Sequence, residues 1–212
     1  MCFTLTQALV VSCFSYLFPN ISYEDLAYGN LGLISIIAST AGIFLLSVFI
    51  KLKDITISSY LNIFIPKRNI TLVFVFLSFI FMLIMESISS KYPYFFESDF
   101  AIDSYQNANS LPLFYLGVVL FAPFFEEFLF RGFLFKGLEK SSLGGHGAVF
   151  ISSILFAIVH IQYGIPILLL MLLPFSILLG YARWMSGSLL LPILIHVLNN
   201  LITCILTHFE IY

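Results

Sequence analysis

The chain has 212 residues, of which 60% are hydrophobic and only 9% are charged, with a formal net charge of −2 and a mean hydropathy of +1.05. This composition excludes a soluble globular domain, and the slightly acidic balance gives no support for nucleic-acid binding. Apolar runs close to or above the roughly 18 residues that cross a bilayer recur along the chain. Because these runs are continuous rather than alternating, they predict an all-α bundle of transmembrane helices and not a β-barrel.

Seven helices are predicted in chain order. They cover residues 5–18, 31–50, 70–90, 113–139, 148–162, 165–182 and 188–207. No basic residue precedes the first helix, which therefore indicates a retained helix and not a cleaved signal peptide. We expect one integral membrane domain, in which residues 1–112 supply N-terminal helices and loops and residues 113–212 form the core.

The basic residues predict how the bundle is oriented. They fall mainly in loops that share one side of the predicted bundle, namely 51–68, 132–147 and 183–187. The positive-inside rule places these loops in the cytoplasm and the acidic loops 19–30 and 91–112 outside, with Lys91 as the exception. We expect a multi-pass protein of the bacterial cytoplasmic membrane, surrounded by lipid; its oligomeric state is left open.

Three charges cluster inside a run of phenylalanines, Phe124-Phe125-Glu126-Glu127-Phe128-Leu129-Phe130-Arg131-Gly132. A charge in lipid is costly, so an intramembrane Glu is a functional-site hypothesis by default. Residues four apart share a helix face, which pairs Glu127 with Arg131, whereas Glu126 points elsewhere and is available for chemistry. The alternative is that both carboxylates belong to an ion-pair cluster that only supports packing.

Two histidines lie in the apolar helices that follow. His160 ends the run from Phe156, and His196 shares a helix face with Asn200, four residues later. A single histidine in an apolar helix is usually a core residue with satisfied hydrogen bonds. Two histidines, an amide and an unpaired carboxylate in one small bundle favour a polar site instead.

These residues form three motifs in order, Glu126-Glu127-x-x-x-Arg131, Phe156-x-x-x-His160 and His196-x-x-x-Asn200. They resemble the motifs of the CPBP family, which comprises CAAX-processing endopeptidases and bacteriocin-processing (Abi) membrane proteins. The resemblance covers about residues 113–207. It implies a helical bundle with a conical or cytoplasm-facing cavity, and a glutamic intramembrane endopeptidase that cleaves a membrane-associated peptide or a lipidated protein.

The resemblance also implies a role for each motif residue. Glu126 and His160 would activate a water molecule, and His196 and Asn200 would stabilise the oxyanion. Structural support would come from the remaining motif positions, Glu127, Arg131 and Phe156. No cofactor is expected from this mechanism.

Two alternatives remain open at this point. Glu126, His160 and His196 could form a two-histidine, one-carboxylate zinc site, although the His-Glu-x-x-His motif is absent. The same polar cluster could also serve a non-catalytic membrane protein, such as an immunity or scaffold factor or a small-solute carrier. The sequence does not identify the substrate or show whether it is prenylated.

Overall fold

The computed structural model describes residues 11–13, 15–17, 19–20 and 27–211, the last two without their side chains. Most of the predicted first helix, residues 5–18, and of loop 19–30 therefore lies outside the described residues. Within the described ranges the chain forms helices and turns, with no strand. The all-α prediction is confirmed.

Nine helices run through the continuous stretch 27–211 beyond its first short turn. They are α1 Leu31–Lys51, α2 Ile57–Leu61, α3 Arg68–Lys91, α4 Pro93–Phe96, α5 Asp99–Gln106, α6 Leu111–Glu139, α7 Gly144–Ile158, α8 Ile165–Ser186 and α9 Leu190–Ile211. Five of them, α1, α3, α6, α8 and α9, are long and apolar enough to cross a membrane. The shorter α7 is apolar too, and the protein is an integral, multi-pass membrane protein.

Three differences from the sequence-based prediction bear on the site. Helix α8 continues to Ser186, so Arg183 lies in a helix and not in a loop. Helix α7 ends at Ile158, and His160 lies in the turn that precedes the 3-10 segment Ile161–Tyr163. Gly164, with φ of 93°, allows the chain to reverse there at no steric cost. The predicted loop 91–112 contains the short helices α4 and α5.

Helices α1 and α6 run parallel at very close range. A Cβ added to Gly117 would lie 2.3 Å from the Gly32 carbonyl oxygen, so the two backbones touch where α1 and α6 begin. Further along both helices, Gly42 leaves space for the Phe125 ring, from which an added Cβ would be only 2.3 Å away. Small residues therefore permit the contact that places α1 against the charged stretch.

The other long helices close the bundle around α6. Helix α7 packs antiparallel to α8, with Gly145 against Trp184 and Gly180 against Val149. Helix α3 covers the pair α8 and α9, where Phe74 packs in one buried apolar cluster with residues of both helices. Helix α9 lies against α6 and contributes His196 to the region of the charged stretch.

Two wide, π-helical turns interrupt α6 on either side of Glu126 and Glu127. They span Leu116–Phe121 and Phe128–Leu134. In the first, the Ala122 N–H bonds to the Gly117 carbonyl, five residues back. The next residue that could donate in this pattern is Pro123, which has no N–H, so the helix backbone leaves the Val118 carbonyl available for another donor.

The two ends of the bundle differ in charge. The basic end holds residues 51–68 and the turns 140–144 and 186–190, and carries Lys51, Lys53, Lys67, Arg68 and Lys140 against Asp54. The acidic end holds residues 91–111 and the turn 159–164, and carries Glu97, Asp99 and Asp103 against Lys91.

Candidate active site

Glu127 is the centre of a buried hydrogen-bond network between three helices. Its Oε1 accepts from Arg131 Nη1 at 2.8 Å and from His196 Nδ1 at 2.8 Å. The side chains of Glu127 and Arg131 are both fully buried, and only 5% of the His196 side chain is exposed. The spacing-based pairing of Glu127 with Arg131 is present, and it extends to the histidine of the third motif.

Arg131 also ties α6 to α7 and α8. Its Nη2 donates to the Ser176 carbonyl at 3.0 Å and to Ser176 Oγ at 2.6 Å. Its guanidinium carbon lies 4.6 Å from the centroid of the Phe156 ring, a cation–π contact. A buried guanidinium is tolerated here because a carboxylate, a carbonyl, a hydroxyl and an aromatic face surround it.

The sequence reasoning missed Arg183, a second buried arginine that extends this network. Its Nε donates to the Arg131 carbonyl at 2.9 Å, within the second wide turn of α6, and its Nη1 donates to the Gly187 carbonyl. Arg183 was placed in a loop because the helix was predicted to end at residue 182. The continuing helical pattern up to the Gly187 turn was the signal that could have located it.

Glu126 lies on the other side of α6, facing both histidines. Its Oε1 is 3.6 Å from His160 Nε2, and its Oε2 is 3.7 Å from His196 Nε2. These separations are longer than direct hydrogen bonds and leave room for a small polar molecule close to all three groups. Only 12% of the Glu126 side chain and 15% of the His160 side chain are exposed.

The second ring nitrogen of each histidine fixes its orientation. His160 Nδ1 lies 2.7 Å from the Phe156 carbonyl, and His196 Nδ1 lies 2.8 Å from Glu127. Both partners only accept, so each Nδ1 carries the proton. In the neutral form of either ring, Nε2 is then an acceptor that faces Glu126.

Phe156 explains why an aromatic residue occurs four positions before His160. Its carbonyl orients His160, and its ring centroid lies 4.5 Å from the His160 ring and 5.7 Å from the His196 ring. The Arg131 guanidinium also contacts this ring. One side chain therefore packs against residues from all three motifs.

Asn200 is held by the carbonyl that the wide turn of α6 leaves available. Its Nδ2 donates to the Val118 carbonyl at 3.0 Å. One amide hydrogen is used in this bond, and the other remains for a further acceptor. The Asn200 amide is thus bonded to the carbonyl that Pro123 leaves without a backbone donor.

A cavity of about 130 Å³ joins these residues. This volume is several times the ~10–15 Å³ that one water requires. Among its lining residues are the four candidate catalytic side chains, Glu126, His160, His196 and Asn200. Among the lining residues that the sequence reasoning missed are Phe100, Gln162, Tyr163 and Asn199, because nothing in their local pattern marks them.

The zinc alternative names Glu126, His160 and His196 as ligands. Within the described part of the chain, no group of three or more His, Cys, Asp or Glu side chains has the arrangement of a metal site. The two Nε2 atoms face separate oxygens of one carboxylate.

Comparison with known proteins finds one family that this site resembles. Residues 108–202 match the family described as Rce1-like, type II CAAX prenyl endopeptidase Rce1-like. Over these residues, the chain is similar to the CAAX endopeptidases. The CAAX endopeptidase match contains all three motifs and confirms the resemblance drawn from them. No curated protein and no solved structure gives a significant match.

Proposed function

We propose that the protein is a metal-independent intramembrane endopeptidase in which Glu126 is the general base. One observation carries this proposal: a carboxylate and two imidazole Nε2 atoms, 3.6 Å and 3.7 Å away, face one another across a cavity large enough for water. The similarity of residues 108–202 to a family of CAAX endopeptidases supports the reaction class.

In the first step, Glu126 and His160 position and activate water. Because His160 Nδ1 donates its hydrogen to the Phe156 carbonyl, His160 Nε2 can accept a hydrogen bond from the water. Glu126 accepts the other hydrogen of the same water. The water oxygen attacks the scissile carbonyl carbon, and its proton passes to Glu126. A carbon–oxygen bond forms, and the carbonyl π electrons move onto the carbonyl oxygen.

In the same step, His196 and Asn200 stabilise the resulting oxyanion. Asn200 offers its remaining amide hydrogen, since the other is bonded to Val118. His196 can donate from Nε2 only as the imidazolium, and the Glu127 carboxylate at 2.8 Å stabilises that charge. Arg131 Nη1, also 2.8 Å from Glu127 Oε1, is the other cation that this carboxylate contacts.

In the second step, the tetrahedral intermediate collapses. The carbon–nitrogen bond breaks, and the proton held by Glu126 passes to the leaving amine. Glu126 and both histidines return to their starting states, and the two peptide fragments leave. The reaction consumes one water and needs no redox partner.

A substitution of the general base tests this proposal. Glu126→Gln keeps the shape and removes the basicity, so hydrolysis should be lost while folding is retained. The matched control is Glu86→Gln, which alters an exposed carboxylate on α3 and should leave activity unchanged. The readout is cleavage, by protein in lipid nanodiscs, of quenched-fluorescent peptide pools with and without a prenylated C-terminal cysteine.

Wild-type cleavage by Glu126→Gln would overturn the assignment of the base. If neither peptide pool is cleaved by the wild-type protein but its biological effect survives Glu126→Gln, the non-catalytic alternative is favoured. A chelator that abolishes cleavage, with zinc restoring it, would contradict metal independence.

A further inference from the structure

The cavity extends from the candidate catalytic residues toward only one end of the bundle. Its lining includes Leu31 at the first turn of α1, Phe100 of α5, and Gln162 and Tyr163 in the turn after α7. Phe100, Gln162 and Tyr163 belong to the acidic end, and Leu31 adjoins it because α1 runs parallel to α6, which begins there. The ring of Phe100 lies 5.2 Å from that of Tyr163, so α5 packs directly over this part of the cavity.

Toward the basic end, the space beneath Glu126 is filled by buried side chains. Glu127 and Arg131 are completely buried, and Arg183 is 2% exposed. The rings of Phe130 and Phe135 are 3% and 1% exposed. These residues bond and pack against each other, which leaves no path for a peptide through this layer.

The charges of the two ends predict which side of the membrane each faces. In the described residues, five exposed or half-buried basic side chains with a single aspartate occupy the basic end, whereas three carboxylates and one lysine occupy the acidic end. The positive-inside rule assigns the basic end to the cytoplasm. The loops concerned are short and adjoin the spans, which is the situation in which this rule applies.

We propose that the catalytic cavity opens to the non-cytoplasmic face of the membrane. Its substrate is then a peptide, or a segment of a membrane-anchored protein, that is exposed on that face. A prenylated protein held at the cytoplasmic leaflet could not reach Glu126. The two sequence-based expectations, a cytoplasmic basic end and a cytoplasm-facing cavity, exclude one another in this structure. The inference about substrate rests on the proposed function, whereas the sidedness does not.

Cysteine labelling in intact bacterial cells tests the sidedness. In a background with Cys2, Cys13 and Cys204 replaced by alanine, Gln106→Cys reports the acidic end and Ser141→Cys the basic end; both native side chains are exposed. A membrane-impermeant maleimide should label Gln106→Cys in intact cells. Ser141→Cys should be labelled only after the membrane is permeabilised.

A third variant, Gln162→Cys, reports from which side of the membrane the cavity can be reached. A small, charged, impermeant methanethiosulfonate reagent should reach it from outside the cell, and prior labelling should abolish cleavage. The same labelling pattern is expected in the Glu126→Gln background, so a failure of the proposed chemistry is separable from a failure of the sidedness.

The opposite labelling pattern, with Ser141→Cys reactive in intact cells and Gln106→Cys protected, would overturn the proposal. So would labelling of Gln106→Cys from outside combined with reaction of Gln162→Cys from the cytoplasmic side alone. That result would show that the cavity opens through the layer of buried arginines.

Discussion

Glu127 concentrates two interactions on one oxygen. Oε1 accepts from both Arg131 and His196, while Oε2 has no hydrogen-bond partner among the described residues. A buried carboxylate in this situation depends strongly on its nearest cation, because removing one partner of a buried pair leaves an uncompensated charge. Arg131 is therefore expected to matter more for folding than for chemistry.

Replacing Arg131 by alanine should reduce stability by about 3–5 kcal/mol, the usual cost of breaking a buried ion pair. The yield of folded protein should fall more than the specific activity of the molecules that fold. Yield is measured by size-exclusion chromatography in detergent, and activity per folded molecule by peptide cleavage. The control is Lys136→Ala, which breaks a part-exposed pair with Glu139 at 3.7 Å and should cost about 0–1 kcal/mol.

A normal yield of Arg131→Ala with lost activity would contradict this prediction. That result would mean that the guanidinium takes part in the chemical steps, although it makes no direct contact with Glu126 in this structure.

For a substitution of Asn200 we expect the opposite, namely a large effect on the rate of cleavage and a smaller effect on folding. Loss of one oxyanion donor lowers kcat by about 10²–10³-fold in a well-studied protease. Asn200→Ala should therefore lower kcat to that extent with little change in KM. Asn199→Ala, which alters a neighbouring amide lining the same cavity, serves as control and should retain kcat. Equal losses in both variants would argue against a specific oxyanion donor.

The sequence identified contacts within a helix but not those between helices. Spacing of four residues predicts the pair Glu127 and Arg131, because both lie on α6. The bond from His196 to Glu127 joins residues 69 positions apart, and its partner depends on how α9 packs against α6. For the same reason, no local pattern marks Ser176 or Arg183 as partners of Arg131.

At the level of the element, the geometry of α6 depends on Pro123. The helix widens before this residue, and the carbonyl of Val118 then bonds to Asn200 instead of to the helix backbone. The helix itself was predicted from its apolar run. The wide turns were not predicted. They depend both on the proline and on how α1 and α9 pack against α6, and a single sequence does not show that packing.

Replacing Pro123 by alanine restores an N–H and permits a regular α-helix through this region. The Val118 carbonyl would gain a backbone donor, and Asn200 would lose its fixed position. We expect unchanged or higher thermal stability together with a fall in kcat comparable to that of Asn200→Ala. Pro192→Ala is the control, since Pro192 lies in the first turn of α9, where no N–H is required.

A Pro123→Ala variant with full activity would show that the wide turn does not position Asn200. Combining it with Asn200→Ala gives a second check. If both act through the same amide, the two losses in kcat should not add.

At the scale of the whole molecule, composition was sufficient to predict a helical membrane bundle, and the motifs were sufficient to predict which family residues 108–202 resemble. The depth of His160 was not predictable from span counting. Helix α7 has 15 residues, about 22 Å at 1.5 Å per residue, and so ends below the surface. The turn that carries His160 is then covered by α5, a helix inside a segment predicted to be a loop.

The family match begins at residue 108, yet the cavity requires the preceding residues. Leu31 and Ser35 of α1 and Phe100 of α5 line it, and α1 packs against α6 through Gly32 and Gly117. Helix α3 covers an apolar surface of α8 and α9. Residues 108–212 alone should therefore be poorly folded and inactive, although they contain every motif residue.

Expressing residues 1–107 and 108–212 as two separate chains should restore cleavage. The break falls in the segment between α5 and α6, and one hydrogen bond that would join the two chains is donated by the Asn109 N–H to the Gly29 carbonyl at 2.9 Å. Activity and co-purification of the two chains are the readouts. As a control, Gly117→Leu in the second chain should prevent association, because its side chain would overlap the Gly32 backbone. Full activity of 108–212 without its partner would show that α1, α3 and α5 are dispensable for the site.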